Sequence, residues 1–342
     1  MDKQPIDFVV TWVNDRDADW HEAKVKALER EGRIGSLQGT KSVRFQDFGL
    51  LRYWFRGIEK YASWVRNIYL VLASSSQLPD WLNVECNNLR IVYHRDFIDE
   101  KYLPTFNSHV IEWNLHKIEG LSEQFLYFND DVYLCDYVTR SDFFDNEKLR
   151  EAFIMMAIQP SDLFTQILFN NTAVLNKHFS KRQVIRENLL KIFTPKYGLA
   201  FFKNILCLPW TYFTGFQTLH SVYPLTISYM EKVWEIEREL LEKVCSHKFR
   251  HEEDVNLYLV GQFAMLSGEF SPRKTRELRY YYNIVDDTGY KQALQNRKYK
   301  VICLNDNVKQ EDFDRTTQQL KEAFELSFPN HSKYEIKQKG RI

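Results

Sequence analysis

Unbroken apolar runs, each followed by a stretch with helical spacing, organise the first part of the chain. Ile6 to Val13 (IDFVVTWV) is short, apolar and β-branched, the pattern of a strand buried on both faces of an α/β sheet. Behind it, Asn14 or Asp15 ends the strand and Asp17 or Asp19 caps a charged helix. Gly32 to Ser42 holds three glycines and reads as a loop. Between Asp47 and Val65, Leu50, Leu51, Trp54, Phe55, Ile58 and Tyr61 fall at helical intervals. RNIYLVLAS, LRIVYHRDF and EQFLYFNDD predict three more strands, and FNSHVIEWNLHKIEGL predicts a helix capped by Ser108 and stopped at Gly120. Strand and helix alternate in this way to about residue 145, which predicts a mostly parallel sheet with helices on both faces.

Beyond Asp145 the texture becomes helical. HFSKRQVIRENLLKIF, ISYMEKVWEIERELLEKVCSHKF and HEEDVNLYLVGQFAMLSG predict helices, the second with a packing stripe of Met230, Val233, Ile236, Leu240 and Val244. YYYNIVDD and YKVICLND predict strands returning late, and the polar tail after Phe328 is expected to fray. The expected organisation is an α/β core over residues 1–145, a mainly helical region over 146–275 that contributes to the site, and C-terminal strands over 276–342 that complete the core. No internal repeat or low-complexity tract interrupts it.

Composition narrows the class. An apolar content of 44% with 15% aromatics supports a sizeable core over 342 residues. Lys and Arg total 46, as do Asp and Glu, and that balance argues against a dedicated nucleic-acid binder. The five cysteines are scattered with no CxxC pair, so a zinc site or disulfide framework is not expected and a reducing compartment fits. The start lacks a signal-peptide segment. LAFFKNILCLPWTYF is interrupted by Lys203, Asn204 and Pro209 and falls short of the ~20 apolar residues that span a bilayer. The expectation is a soluble, cytoplasmic protein with no transmembrane segment, open to peripheral association with the inner face of the cell membrane.

Candidate chemistry gathers at strand ends, where α/β sheets bind ligands. FNDD places Asn129, Asp130 and Asp131 together after an apolar run. Such residues make ordinary turns, but paired carboxylates also suit a hard cation shared with phosphate. Alternation along a strand splits the two acids, one toward ligand and one into the loop. Asn107, Ser108 and His109 stand at a helix start, which serves either as a cap or as a phosphate site. His220 becomes a general base or phosphoryl partner only if the fold carries it to the NDD loop. Arg250 has Asp254 four residues on, the spacing of an ordinary helix pair. Asn305 and Asp306 in CLNDN repeat the strand-then-acid theme. GxxxxGK[ST], GxGxxG, HExxH and GxSxG are all absent.

Taken together, these blocks resemble the Stealth proteins, bacterial capsular and exopolysaccharide sugar-phosphate transferases. They are also similar to the catalytic subunit of the eukaryotic N-acetylglucosamine-1-phosphotransferase. IDFVVTWVNDRDADW resembles the first family block. RFQDFGLLRYWF through FLYFNDDVYL resembles the second, TLHSVYPLTISYMEKVW the third, and VICLNDN with SFPNHSKYE the fourth. The resemblance implies a Rossmann-like or GT-A-like nucleotide-sugar sheet flanked by helices. It also implies transfer of hexose-1-phosphate, N-acetylhexosamine-1-phosphate by preference, from a UDP-sugar such as UDP-N-acetylglucosamine to a polysaccharide or lipid-linked glycan hydroxyl, with release of UMP.

By position in the blocks, the resemblance assigns Thr11, Trp12, Val13, Asn14 and Asp15 to uridine and ribose, and Arg44, Asp47 and Arg52 to the nucleotide or diphosphate. Asn107 and Ser108 face sugar or phosphate. Asn129, Asp130, Asp131, His220 and Arg250 form the catalytic set, with His220 as base or transition-state partner. Asp131, Asn305 and Asp306 hold Mg²⁺ or Mn²⁺. The first block departs from the family pattern: Asn14 and Asp15 stand where Asp and Gly are usual, which shifts the expected nucleotide contact to Asp15. The large insertions of the eukaryotic enzyme are missing, which favours a glycan acceptor. A conventional glycosyltransferase that releases UDP and a non-catalytic glycan-binding protein are the alternatives.

Overall fold

The computed structural model describes residues 4–33, 47–274, 280–283, 289–305, 308 and 310–336. Arg44, Asp306 and most of the glycine-bearing 32–42 loop lie outside these residues. The strands, in chain order, are β1 Ile6–Thr11, β2 Ile68–Leu72, β3 Leu89–Tyr93, β4 Gln124–Phe128, β5 Val132–Leu134, β6 Phe144–Asp145, β7 Lys148–Glu151, β8 Tyr223–Thr226, β9 Phe270–Pro272, β10 Tyr280–Asn283 and β11 Val301–Asn305.

The central sheet runs β3-β2-β1-β4-β8. Its first four strands are parallel, and β8 joins β4 antiparallel. This is the expected α/β class with a mostly parallel sheet. Its strands read as continuous apolar runs because both faces are covered. Successive residues of β1 serve opposite layers: Phe8 and Val10 pack with Trp54, Phe55 and Ile58 of the Leu51–Tyr61 helix, and Val9 packs with Val110 and Trp113 of the Ser108–Asn114 helix. Pro224 sits in β8 at the sheet edge, where a missing N–H costs no ladder bond. That stretch reads as a Pro-interrupted loop in the sequence, and tertiary pairing makes it a strand.

A second sheet, β10-β11-β5, joins the late strands to the segment directly after the NDD loop. A third small sheet, β6-β7-β9, braces the helical region.

The structure corrects several expectations. The Leu163–His178 helix is absent from the sequence reading, and its cap is Asp162, which accepts from Thr165 N. The predicted single helix from 227 to about 246 is two, Ile227–Ile236 and Arg238–Ser246. They break at Glu237, whose carboxylate turns to Lys177 at 2.8 Å and to His178. The Ser108–Asn114 helix is capped by Asn107 rather than Ser108. The helix read across 251–268 begins only at Tyr258. Asp254 is therefore no helix partner of Arg250: it is fully buried and receives His109 Nδ1 at 3.0 Å and His247 Nδ1 at 2.7 Å.

The segment after Phe328 is packed as far as it is described. Arg56 holds Glu335 bidentately at 2.7 and 2.8 Å and also donates to the Phe328 carbonyl at 2.7 Å. Tyr334 lies buried beside Phe55.

Candidate active site

Parallel register puts the ends of β1 and β4 side by side, with Val10 opposite Phe128. The Trp12–Asp15 segment and the Asn129–Asp131 loop thus emerge at the same carboxyl edge, the place where α/β sheets bind ligands. Antiparallel pairing then brings two distant segments to that loop. Tyr223 of β8 faces Tyr127 of β4, so the chain leading into β8 runs alongside the residues that follow β4. Cys303 of β11 faces Val132 of β5, and Leu304 N donates to the Asp131 carbonyl at 2.9 Å.

At the junction, His220 Nε2 lies 3.0 Å from Asp131 Oδ2, and the Cys303 thiol donates to the same oxygen at 3.3 Å. The other imidazole nitrogen, Nδ1, lies 2.9 Å from the Tyr223 hydroxyl, itself 2.8 Å from that of Tyr258. Asp131 Oδ1 is buried and has no hydrogen-bond partner among the described residues.

Burial by itself would raise the Asp131 pKa. The His220 charge and hydrogen bond, with the Cys303 donor, outweigh it and hold the carboxyl below its ordinary value. Burial pushes the Tyr223 hydroxyl well above the ordinary tyrosine range, with the neighbouring Tyr258 adding to it. Tyr223 therefore keeps its proton. An ionised Asp131 requires a proton on His220 Nε2. The imidazole is then either neutral, accepting from Tyr223 at Nδ1, or an imidazolium donating at both nitrogens.

The NDD loop separates its two acids as strand geometry predicts. Asp131 points in. Asp130 is exposed, and its carbonyl accepts the Tyr133 hydroxyl at 2.7 Å. Asn129 is half-buried, and its carbonyl accepts Val132 N at 3.2 Å.

On one side of the loop, Arg250 donates to Ser108 Oγ at 2.8 Å. Thr11 Oγ1 meets the Tyr127 hydroxyl at 3.0 Å. Burial pushes the Tyr127 pKa well up, with Glu112 and Asp130 acting in the same direction and the Arg250 charge against it. Asn107 stands behind this edge. It is fully buried, and its amide is spent on Asp254 at 2.9 Å, so it holds the Arg250 segment and offers no face to a ligand.

On the other side, Trp12, Asp47, Gly49, Leu51, Arg52, Tyr53, Trp81 and Lys321 line a cavity of about 270 Å³. Arg52 lies over the Trp81 ring at 5.2 Å. Burial raises the pKa of both Asp47 and Asp15, and each carboxylate opposes the ionisation of Tyr133 or of the other. Against burial, the Trp12 indole N–H favours the Asp47 carboxylate and the Asp47 backbone N–H favours that of Asp15. Asn14 is occupied locally: its Oδ1 accepts Arg16 N at 3.1 Å. Val13 is half-buried and packs beside Trp20 and Phe106. Asn305 is half-buried at the end of β11, next to Cys303 and Leu304.

The structure thus brings Asp131 and His220 together from segments far apart in sequence, with Asn305 ending the strand that carries Cys303. It adds Cys303, Tyr223, Tyr258, Tyr127, Trp81 and Lys321, none of which sequence reasoning proposed. Cys303 looked like strand filler in VICLND, and only the antiparallel partner of β5 reveals what it faces.

Together, a mostly parallel α/β sheet and a polar cluster at the carboxyl ends of β1 and β4 form the arrangement in which α/β proteins bind ligands. Models for Stealth protein conserved regions 1, 2 and 4 match residues 4–32, 44–152 and 291–341. The capsular polysaccharide phosphotransferase WcwK of Streptococcus pneumoniae is 38% identical over 335 residues, 98% of this chain and 99% of that protein. The exopolysaccharide phosphotransferase cps2G of Lactiplantibacillus plantarum is 36% identical over 333 residues, 96% of each. The receptor polysaccharide phosphotransferase WefC of Streptococcus gordonii is 33% identical over 340 residues, 97% of this chain and 99% of that one. The chain belongs to the Stealth family. Among solved structures, the galactosyltransferase LgtC, in complex with donor and acceptor sugar analogs, aligns over 96% of this chain and 98% of its own. Its identity is 12% and its TM-score 0.40.

Proposed function

We propose that the protein transfers hexose-1-phosphate from a UDP-sugar to a hydroxyl of a polysaccharide or lipid-linked glycan in capsule or exopolysaccharide synthesis. The relatives' names support the phosphotransferase class. The observation that carries the reading is the convergence of His220 and Cys303 on one oxygen of the Asp131 carboxylate, whose second oxygen is buried without an inter-residue hydrogen bond among the described residues.

In this reading the uridine and diphosphate occupy the Trp12–Asp47–Arg52–Trp81 cavity, with Lys321 adding positive charge. Asp15 stands next to Asp47 beside this cavity, and Thr11 stands across the sheet on the Tyr127 hydroxyl. Arg250, with Ser108 behind it, faces the sugar-bearing phosphate. The acceptor oxygen forms a bond to the phosphorus nearest the sugar, and the bond from that phosphorus to the bridging oxygen breaks. The sugar leaves the donor with its phosphate attached, as a phosphodiester on the acceptor, and UMP departs. The proton of the acceptor hydroxyl passes to the Asp131–His220 pair. In a loose phosphoryl transition state such groups act mostly by positioning and charge, with little covalent participation. Asn129 contacts the transferred phosphate or its sugar, and Asp130 lines the open side of the loop.

The orphaned oxygen of Asp131 fits a hard divalent cation, because Mg²⁺ and Mn²⁺ seek carboxylate oxygens. His220 and Cys303, softer donors, already occupy the other oxygen. Asp131, Asn305 and Asp306 would hold the ion, whose chemistry there is neutralisation of pyrophosphate charge. The setting implied is the cytoplasmic side of the membrane, where nucleotide-sugars are available. Among the described residues no helix is long and apolar enough to cross a bilayer.

Incubation with a panel of UDP-hexoses and a polysaccharide acceptor, with and without Mg²⁺ or Mn²⁺, tests this. UMP and a phosphodiester signal by ³¹P NMR are expected. UDP as the sole nucleotide product with a competent acceptor would show a conventional glycosyltransferase instead.

A further inference from the structure

Residues 189–212 carry an apolar surface that the transferase chemistry does not use. Leu190 is 88% exposed, Leu199 74% and Leu206 70%, and Phe202, Trp210 and Tyr212 are each more than half exposed. The arrangement is built rather than loose. In the Phe201–Leu206 helix, Asn204 is fully buried. It accepts Met155 N at 2.6 Å and donates to the Phe153 and Ile192 carbonyls at 2.8 and 2.9 Å. Fixing that residue inward turns Phe202 and Leu206, one helical turn apart, outward together. The following turn is clamped as well: the buried ammonium of Lys181 donates to the carbonyls of Cys207 and Trp210, both at 2.6 Å. A buried lysine is thus spent on holding a segment whose Trp210 and Tyr212 side chains face solvent.

The charge around this surface is one-sided. No Asp or Glu occurs between Glu187 and Glu231, although the whole chain has as many acids as bases. Within that interval Lys196 and Lys203 are exposed beside the apolar side chains, and Arg182 is exposed on the helix just before it, where Arg186 pairs with Glu187 at 3.9 Å.

We infer that this face docks the protein on an anionic lipid bilayer. Aromatic and aliphatic side chains enter the headgroup region, where Trp and Tyr are favoured. The lysines and arginines meet anionic headgroups, an attraction that an acid-free interval leaves unopposed. A cavity of about 330 Å³, lined by Lys203, Gln217 and Thr218 among others, connects the Phe201–Leu206 helix to the segment leading into His220. A glycan held at the bilayer surface would therefore approach His220 from the docked side. That last point rests on the proposed transfer reaction, whereas the docking does not.

Sedimentation of the full chain with vesicles tests the docking. The protein is expected to pellet with phosphatidylcholine vesicles containing phosphatidylglycerol, to bind pure phosphatidylcholine far less, and to be released by high salt. The triple variant Leu190→Ser/Phe202→Ser/Leu206→Ser should lower the partition coefficient about tenfold, since each side chain gives up its burial in the interface. Lys196→Glu should weaken binding to anionic vesicles alone. Because all four side chains are exposed, unchanged thermal melting reports an intact fold in each variant. Turnover of a soluble acceptor by the variants separates docking from catalysis: a docking face leaves it unchanged.

Failure of the wild-type chain to pellet with anionic vesicles overturns the inference. So does equal binding by the triple variant. A wild-type dimer in solution that the triple variant abolishes, without vesicle binding, assigns the face to a second copy of the chain instead.

Discussion

His220 has both ring nitrogens engaged, one by Asp131 and one by Tyr223. A histidine held this way has a fixed ring plane and couples the Asp131 carboxylate to the Tyr223 hydroxyl, so in the proposed reaction it acts by holding and charging Asp131. Tyr223→Phe removes the hydroxyl and keeps the ring stacked on Tyr127. The expected result is a fall in kcat of about tenfold with KM little changed and melting unaltered. Loss of KM in equal measure would mean that Tyr223 only shapes binding. His220→Ala and Asp131→Asn remove the proton-handling pair itself, so kcat should drop about 10²–10⁴-fold. Steady-state kinetics alongside a thermal melt distinguishes this from misfolding, and turnover within a few-fold of wild type would remove the pair from the catalytic role, whereas no turnover by the wild-type chain with any UDP-hexose would favour the glycan-binding alternative.

Among the elements, the Leu51–Tyr61 helix links the C-terminal segment to the sheet. Arg56 and Glu335 are each 3% exposed at the side chain and form a bidentate pair. Removing one partner strands the other charge in the core. Arg56→Met is therefore expected to cost about 3–5 kcal/mol by denaturant unfolding, and the double variant Arg56→Met/Glu335→Met to cost less than Arg56→Met alone. Equal costs would show that the pairing is not what matters there. The same region illustrates how far pattern reading reaches. The helix was evident from the spacing of Leu51, Trp54, Phe55 and Ile58, but the residues after Phe328 are polar enough to look loose. They are ordered by a buried ion pair whose partners stand 279 positions apart, a separation that no local window spans.

On the scale of the whole molecule, buried titratable groups make the fold sensitive to acid. Burial brings His94 down to about 4 from an ordinary value near 6.5. Between those values the unfolded chain binds a proton that the folded chain refuses, so stability rises with pH and is lost on acidification from about 6.5 to about 4. The difference corresponds to about 3 kcal/mol. Glu335 acts in the same sense: burial would raise its pKa, but the Arg56 pair holds it down, so its contribution is present above the ordinary carboxylate range and lost as pH falls through the lowered value. Melting temperature should decline steeply over that interval, and His94→Phe should flatten the decline. An unchanged slope in the variant would remove His94 from the account.

The sequence by itself determined the parallel core, since continuous apolar runs separated by helical spacing have one economical arrangement. It also offered Asp131, His220 and Asn305 as candidates, through motif blocks that stay in order along the chain, and Arg250 outside them. What it could not determine is which side chains meet. Register between β4 and β8 and between β5 and β11 decides that His220 and Cys303 reach the same carboxylate. It likewise decides that Asn107 and Asp254 turn into the core while Ser108 and Arg250 stay at the edge. Those outcomes depend on pairings between segments tens to hundreds of residues apart, and local hydrophobic periodicity carries no information about them.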